Sequence, residues 1–288
     1  MHNDQWKHLV VGHESGAIDI WDATEARSKR QVKAHDYRAN LISFTLDGKL
    51  FFSNSYFEES TKLWSAKTGE LLLTIPETRG PVCATPDDDI YLITTSDSST
   101  VRFFDLARKA LLPETYTASG VVQTMAMDRE SKQIAIGTAS GTIEVWTFSR
   151  VGEQLNLKKT ADAKPYSTGN WVVGLHFIPG GQRLYSVASS GVIDEWDSAT
   201  LKKQRSLPAT IRIQSATFLQ NTSLVALAGA VDKQGTQVGF VELISLSTGT
   251  ANKFRANYNF PVIEFLPSLS SLMVAEYLST QVYPIKTN

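Results

Sequence analysis

Along this chain, short runs of alternating apolar and polar residues end on tryptophan. The runs are Gly16-Ala-Ile-Asp-Ile-Trp21, Ser60-Thr-Lys-Leu-Trp64, Gly141-Thr-Ile-Glu-Val-Trp146 and Gly191-Val-Ile-Asp-Glu-Trp196. A fifth run, Thr100-Val-Arg-Phe-Phe104, has phenylalanine in the tryptophan slot, and a sixth, Phe240-Val-Glu-Leu-Ile244, has isoleucine there. The slots are spaced 43, 40, 42, 50 and 48 residues apart. A period of roughly 40–45 residues suits four short strands and their turns. Upstream of each run lies a more apolar one, such as Leu50-Phe-Phe52, Tyr91-Leu-Ile93, Ile134-Ala-Ile136 and Leu224-Val-Ala-Leu227. Weak alternation there predicts strands buried on both faces.

Tight turns precede most of these apolar strands, at Leu46-Asp-Gly-Lys49, Pro86-Asp-Asp-Asp89 and Pro179-Gly-Gly-Gln182. Aspartate and glycine accept the backbone angles that hairpins demand. Another strand comes before the turn (Leu41-Ile-Ser-Phe44, Val173 to Phe177), and an outer strand follows the tryptophan run (Leu71 to Ile75, Gln204 to Leu207). Each unit is thus a four-stranded antiparallel meander. One such sheet cannot bury both faces alone, whereas stacking units around an axis does so. Seven units are counted, with approximate bounds 1–34, 35–78, 79–118, 119–164, 165–208, 209–257 and 258–288. The expected fold is all-β, a seven-bladed β-propeller in one domain, with the first and last blades incomplete. The first unit begins at its second strand and the last ends after its third. Two explanations stand side by side: the chain is a segment of a longer protein, or a partner donates the strand to an unpaired edge.

These units resemble the WD-repeat (WD40) family over nearly the whole chain. The literal pair occurs at Trp21-Asp22 and Trp196-Asp197, with near matches at Trp64-Ser65, Phe104-Asp105 and Trp146-Thr147. The resemblance implies a hydrogen-bonded tetrad of histidine, serine or threonine, aspartate and tryptophan. Only the second unit has the histidine, His35, with Ser53 and Trp64 as its partners. The aspartate slot holds Ser15, Ser98, Ser140 and Ser190, or Glu58. The tetrad therefore reads as eroded, and the blades are expected to rely more on apolar packing. The resemblance also implies a non-catalytic scaffold or adaptor that binds peptides or partner domains on one loop face.

Composition narrows the picture only slightly. The 288 residues carry a net charge of −1, 42% hydrophobic and 20% charged residues, which is ordinary globular usage. That charge argues against a dedicated nucleic-acid binder. The first seven residues lack a basic segment followed by an apolar one, so no secretory signal is expected. No apolar stretch approaches the roughly 20 residues that span a bilayer, so no membrane insertion is expected. The lone cysteine, Cys83, fits a reducing compartment and sits in an apolar run as a core residue. An intracellular location follows, cytoplasmic or nuclear, which the sequence does not distinguish.

Candidate chemistry is sparse. None of the five histidines is spaced from another like a zinc pair. Asp87-Asp-Asp89 reads as turn rather than calcium ligand, and no phosphate-binding glycine loop or nucleophile elbow is present. No catalytic residue, metal or cofactor is expected; the alternative is an enzyme or ligand-binding propeller that uses its central channel. What remains is recognition of other proteins within a multi-subunit complex. The loops entering each first strand and joining the second and third strands share one face. They carry Tyr37, Arg38, Tyr56, Phe57, Glu58, Glu59, Arg79, Tyr166, Trp171, Arg212, Tyr258, Asn259 and Tyr277. Aromatic residues and arginine are what binding hot spots use. An extra residue in the 56–59 loop should push Tyr56 or Phe57 outward, and Trp171 stands outside the repeat's tryptophan slot. Two linkers, 150–170 and 230–237, read as long polar loops. Lys158-Lys159 and Lys202-Lys203 read as solvated edges.

Overall fold

A computed structural model describes residues 8–22, 27–45, 47–87, 89–219, 222–256, 262–266, 271–275 and 280–284. Every element in them is a strand, and the strands pair as antiparallel meanders in chain order. Five sheets have four strands. They are β4–β7 (Leu41–Phe44, Leu50–Asn54, Ser60–Ser65, Leu71–Pro76), β8–β11 (Thr78–Ala84, Ile90–Thr95, Thr100–Asp105, Ala110–Thr117), β12–β15 (Val122–Asp128, Gln133–Thr138, Ile143–Val151, Gln154–Ala163), β16–β19 (Val172–Phe177, Arg183–Ala188, Val192–Asp197, Lys203–Pro208) and β20–β23 (Arg212–Phe218, Leu224–Lys233, Thr236–Ser245, Ala251–Arg255). Two three-stranded sheets flank them: β1–β3 (His8–Gly12, Ala17–Asp22, Arg27–Lys33) and β24–β26 (Val262–Leu266, Ser271–Ala275, Thr280–Pro284).

The molecule is an all-β propeller of antiparallel blades, but the expected count of seven is corrected. Among the described residues there are twenty-six strands, enough for six four-stranded blades with two strands over. Among the described residues, six core clusters each join two successive sheets. The apolar runs near the two ends look like those of full units, because the second and third strands carry the repeat signal and neither end sheet lacks them.

The blades stack because their middle strands have no solvent face. Phe51 and Phe52, adjacent on β5, point to opposite sides and are both buried. Phe51 stacks on Trp64 (centroids 6.2 Å apart, 10° between planes), while Phe52 meets Tyr91 and Phe104 of the next sheet. The first strands of successive sheets pack on one another around the axis, β4 on β8, β8 on β12, β12 on β16 and β16 on β20. In five sheets the pairing of third and fourth strands shifts register at the tryptophan slot, by one residue at Ile20/Trp21, Leu63/Trp64, Val145/Trp146 and Glu195/Trp196 and by two at Arg102/Phe104. Such bulges bend a strand and increase its twist, which turns the outer strand around the large ring.

Both supposed linkers are corrected as well. Residues 150–163 belong largely to the β14–β15 hairpin, whose Phe148, Leu155 and Leu157 are buried against the preceding sheet. Residues 230–237 continue the β21–β22 ladder as far as the Lys233–Thr236 pair. A strand that overruns its sheet still satisfies its backbone within the hairpin, so polar composition there does not mean loop.

Candidate functional site

On the loop face of the second unit, the geometry starts from a buried histidine. His35 lies in the connection between β3 and β4. Its Nε2 accepts from the Ser53 hydroxyl at 2.8 Å, and Ser53 Oγ in turn accepts from Trp64 Nε1 at 2.8 Å. On the other side, His35 Nδ1 donates to Glu58 Oε2 at 2.8 Å. This donor order suits a neutral imidazole, and burial holds His35 below its ordinary 6.5 despite Glu58 beside it. Burial pushes the Glu58 carboxyl up, but hydrogen bonds from His35 and the Asp36 amide, with Lys62 3.3 Å away, outweigh it and hold it at about 2. Asp97 is also held at about 2: the amides of Thr100 and Ser99 and the hydroxyls of Thr100 and Thr95 outweigh its modest burial.

These shifts set the sense of acid sensitivity. Glu58 and Asp97 bind protons more weakly folded than unfolded, so their stabilisation is full above their ordinary values of 4.5 and 3.8 and is lost as pH falls towards 2. His35 acts in the same sense below 6.5. The urea midpoint is therefore expected to fall between about pH 5 and pH 2, and to fall less in a Glu58→Gln, Asp97→Asn double variant. Equal slopes in both proteins would remove these carboxylates from the account.

In three of the other units a different polar network stands where the tetrad would, so apolar packing does not act alone there. The position two residues before the tryptophan slot is the new hub. In the β16–β19 sheet, Tyr166 takes the place of the histidine. Trp196 Nε1 donates to Ser186 Oγ at 2.7 Å, Ser186 bonds the Tyr166 hydroxyl at 2.7 Å, and Tyr166 donates to Asp194 at 3.0 Å. Burial, first of all, pushes the Tyr166 phenol up. In the β12–β15 sheet, Ile136 stands where serine would, and the longer Glu144 reaches across. It accepts from Trp146 Nε1 at 2.9 Å and from the Ser119 amide at 2.8 Å. In the β20–β23 sheet, Glu242 accepts from the amide and hydroxyl of Thr210. Each of these buried acids has a lysine from the fourth strand: Lys159 at 3.3 Å, Lys203 at 3.0 Å and Lys253 at 3.4 Å. Lys159 and Lys203 also lie over the tryptophan rings. Both remain partly exposed on the outer strand, as the sequence suggested, while their charges pair inward.

The candidate contact residues divide sharply. Tyr37 and Phe57 stand out, 55% and 71% exposed, with ring centroids 5.7 Å apart. Arg38 is beside them, half-buried and 3.5 Å from Glu14 across an exposed pair. Arg212 is exposed on β20. Tyr56 is half-buried, its amide held by Asn40 Oδ1 and its phenol pushed up by burial. Arg79 is committed internally, donating to Ser98 Oγ and the Tyr56 carbonyl. Trp171 is half-buried and its backbone is pinned to Ser189. Tyr166, 7% exposed, is a core residue and not the surface ring expected of it. Tyr258, Asn259 and Tyr277 lie outside the described residues.

Nothing in the described residues gathers three or more metal-binding side chains. No helix among them is long and apolar enough to cross a membrane. Cys83 is buried, and burial pushes its thiol up to about 12.

Comparison with known proteins agrees with the fold. No protein-family model matches the chain. It is 24% identical over 216 residues to the nuclear distribution protein PAC1 of Arthroderma otae, covering 63% of this chain and 44% of that protein. It is 23% identical over 276 residues to the periodic tryptophan protein 2 homolog of Neurospora crassa, covering 83% of this chain and 30% of that protein. It is 26% identical over 156 residues to the eukaryotic translation initiation factor 3 subunit I of Anopheles gambiae, covering 49% and 47%. The chain thus spans less than half the length of each of these relatives.

The tryptophan period, the stacked meanders and these similarities agree in one class, a β-propeller that resembles the WD-repeat proteins. Propellers of this class serve in general as scaffolds for protein interactions.

Proposed function

We propose that this propeller is a non-catalytic docking platform that grips a partner protein through the loop face of its second unit, with Tyr37 and Phe57 as anchors and Arg38 beside them. The observation that carries this reading is the exposed aromatic pair. Folding gains nothing from leaving two adjacent rings in water, and burying the exposed 55% and 71% of them on a partner would remove roughly 80–180 Å² each. Hot spots of this kind dominate binding while the surrounding contacts exclude water. Arg38 adds donors for partner carbonyls or carboxylates. Arg212, exposed on β20, and the half-buried Trp171 are secondary contacts in this reading. The names of the relatives support a partner inside a larger assembly and a location within the cell, since one is a translation initiation factor subunit and another a nuclear distribution protein.

Affinity purification with cross-linking tests the proposal. Cross-links from the partner should cluster on residues 36–40 and 55–59. The Tyr37→Ala, Phe57→Ala double variant should weaken partner binding by at least about 2 kcal/mol, near thirtyfold, with no loss in melting temperature. Full binding by that variant would reject the aromatic pair as anchor.

A further inference from the structure

The strand that follows each tryptophan slot lies at the edge of its sheet and pairs on one side only. Such an edge invites pairing by another chain unless charge or proline guards it. The outer strands β3, β15, β19 and β23 each carry two or more charged residues, and β11 carries Glu114 after Pro113. The outer strand of the second unit, β7, reads Leu-Leu-Leu-Thr-Ile-Pro and carries no charge. Leu71 and Leu72 are 45% and 37% exposed, the only large apolar side chains so open on an outer strand among the described residues. The register explains them. Where Trp146 pairs with Lys159 and Trp196 with Lys203, Trp64 pairs with Leu71. Those two lysines answer Glu144 and Asp194, the buried acids two residues before the tryptophans. In the second unit Lys62 holds that place, so no acid calls for a lysine on β7. Leu72 is the extra residue of the bulge, where β3 has Lys29, β15 Thr160 and β19 Gln204. Leu73 and Ile75 are anchored in the core shared with the β8–β11 sheet, so the strand cannot turn to hide Leu72.

We propose that the outer edge of β7 takes an extended apolar segment of a partner protein as a fifth strand, with lysine or arginine at both ends of that segment. The charge pattern selects this occupant. Exposed carboxylates bracket the leucines, Glu70 before the strand and Glu77 after it, and neither is paired with a cation among the described residues. Main-chain hydrogen bonds along Leu71 to Ile75 supply the affinity, and the added strand's apolar residues pack on Leu71 and Leu72. Pro76 has no N–H and ends the ladder, so the segment is roughly five to six residues long. A second copy of this chain fits poorly. Antiparallel pairing of β7 with itself would bring Glu70 of one copy beside Glu77 of the other, and like charges across paired strands are destabilising. The basic ends set the choice of segment more than its affinity, because exposed ion pairs contribute little. This edge is separate from the loops that carry Tyr37 and Phe57, and the proposal does not depend on them.

A capped, dye-labelled peptide, Arg-Val-Leu-Val-Thr-Val-Arg, tests the edge on the full chain. Anisotropy titration should show saturable binding, and amide exchange at residues 71–75 should slow in the complex, a readout that needs no variant. Leu72→Lys copies the charge that β3 carries at Lys29. It should weaken binding by at least about tenfold and leave the melting temperature unchanged. The same peptide with glutamate in place of both arginines should bind at least about fivefold more weakly. Absence of binding, binding without slowed exchange at 71–75, or equal affinity for the two peptides would overturn the proposal. So would a dimer of the chain alone, seen in sedimentation and abolished by Leu72→Lys, since a second copy would then be the occupant.

Discussion

Replacing Phe103 with alanine is expected to lower the unfolding free energy by about 4 kcal/mol, one of the two largest single-residue effects argued from this fold. The ring is fully buried between the β8–β11 and β12–β15 sheets. It meets Tyr116 edge-on at 5.6 Å and Phe148 edge-on at 5.8 Å. Truncating a buried phenylalanine costs about 3–5 kcal/mol, from lost transfer energy and from the cavity left behind, and lost edge contacts add to it. Whether the site collapses decides where in that range the value falls. Its neighbours are held in place by paired strands on both sides, so little collapse is expected. Against a total stability of about 5–15 kcal/mol, such a loss is severe. Urea unfolding should show a lower midpoint with an unchanged slope. A loss under about 1.5 kcal/mol would mean that this interface is not tightly packed.

The second large effect belongs to Glu144. Its removal in Glu144→Ala is expected to cost about 3 kcal/mol, because it strands three donors at once: Trp146 Nε1, the Ser119 amide and Lys159. Breaking a buried ion pair from one side costs more than the pair contributes, since the other charge loses its partner. The lysine here is about one-third exposed and can turn to water, which keeps the estimate at the low end. A double-mutant cycle with Lys159→Met separates the two contributions. A coupling of at least about 1 kcal/mol is expected for groups sharing one network. Strict additivity would mean that lysine and carboxylate stabilise the blade independently, and the replacement-hub account would fall.

The strands of this propeller were legible because its middle strands are covered on both faces. That burial writes near-continuous apolar runs, and a large ring recurs at five of the slots, 40 to 50 residues apart. His35, Ser53 and Trp64 could be found for the same reason, as one unit kept the pattern whole. The blade count was not legible. An end sheet with its second and third strands reads as a full unit, since those strands carry the tryptophan and the apolar run. The acid hubs were hidden for a related reason. Glu144, Asp194 and Glu242 occupy polar positions in alternating runs, which normally face water. In a stacked blade that second face is covered too, so the polar residue turns inward and must find partners. A usable signal did exist: an acid two residues before the slot, matched by a lysine on the following outer strand. Tyr166 was misplaced because a tyrosine in a loop reads as a surface ring, and only the position of Ser186 and Asp194 across the sheet shows its hydroxyl to be the histidine's substitute. Exposure at Tyr37 and Phe57 was foreseeable from the loop that carries them, whereas the carboxylate joining the two loops depends on geometry that spacing alone does not give.

The burial of Cys83 has a practical side. Its sulfur is the only one of its kind in the chain, it is shut inside the sheet stack, and at neutral pH it stays in the unreactive protonated form. A second thiol engineered on the outer loops would then be the sole site open to maleimide dyes or spin labels, so distances and motions on that face become measurable without first deleting a native residue.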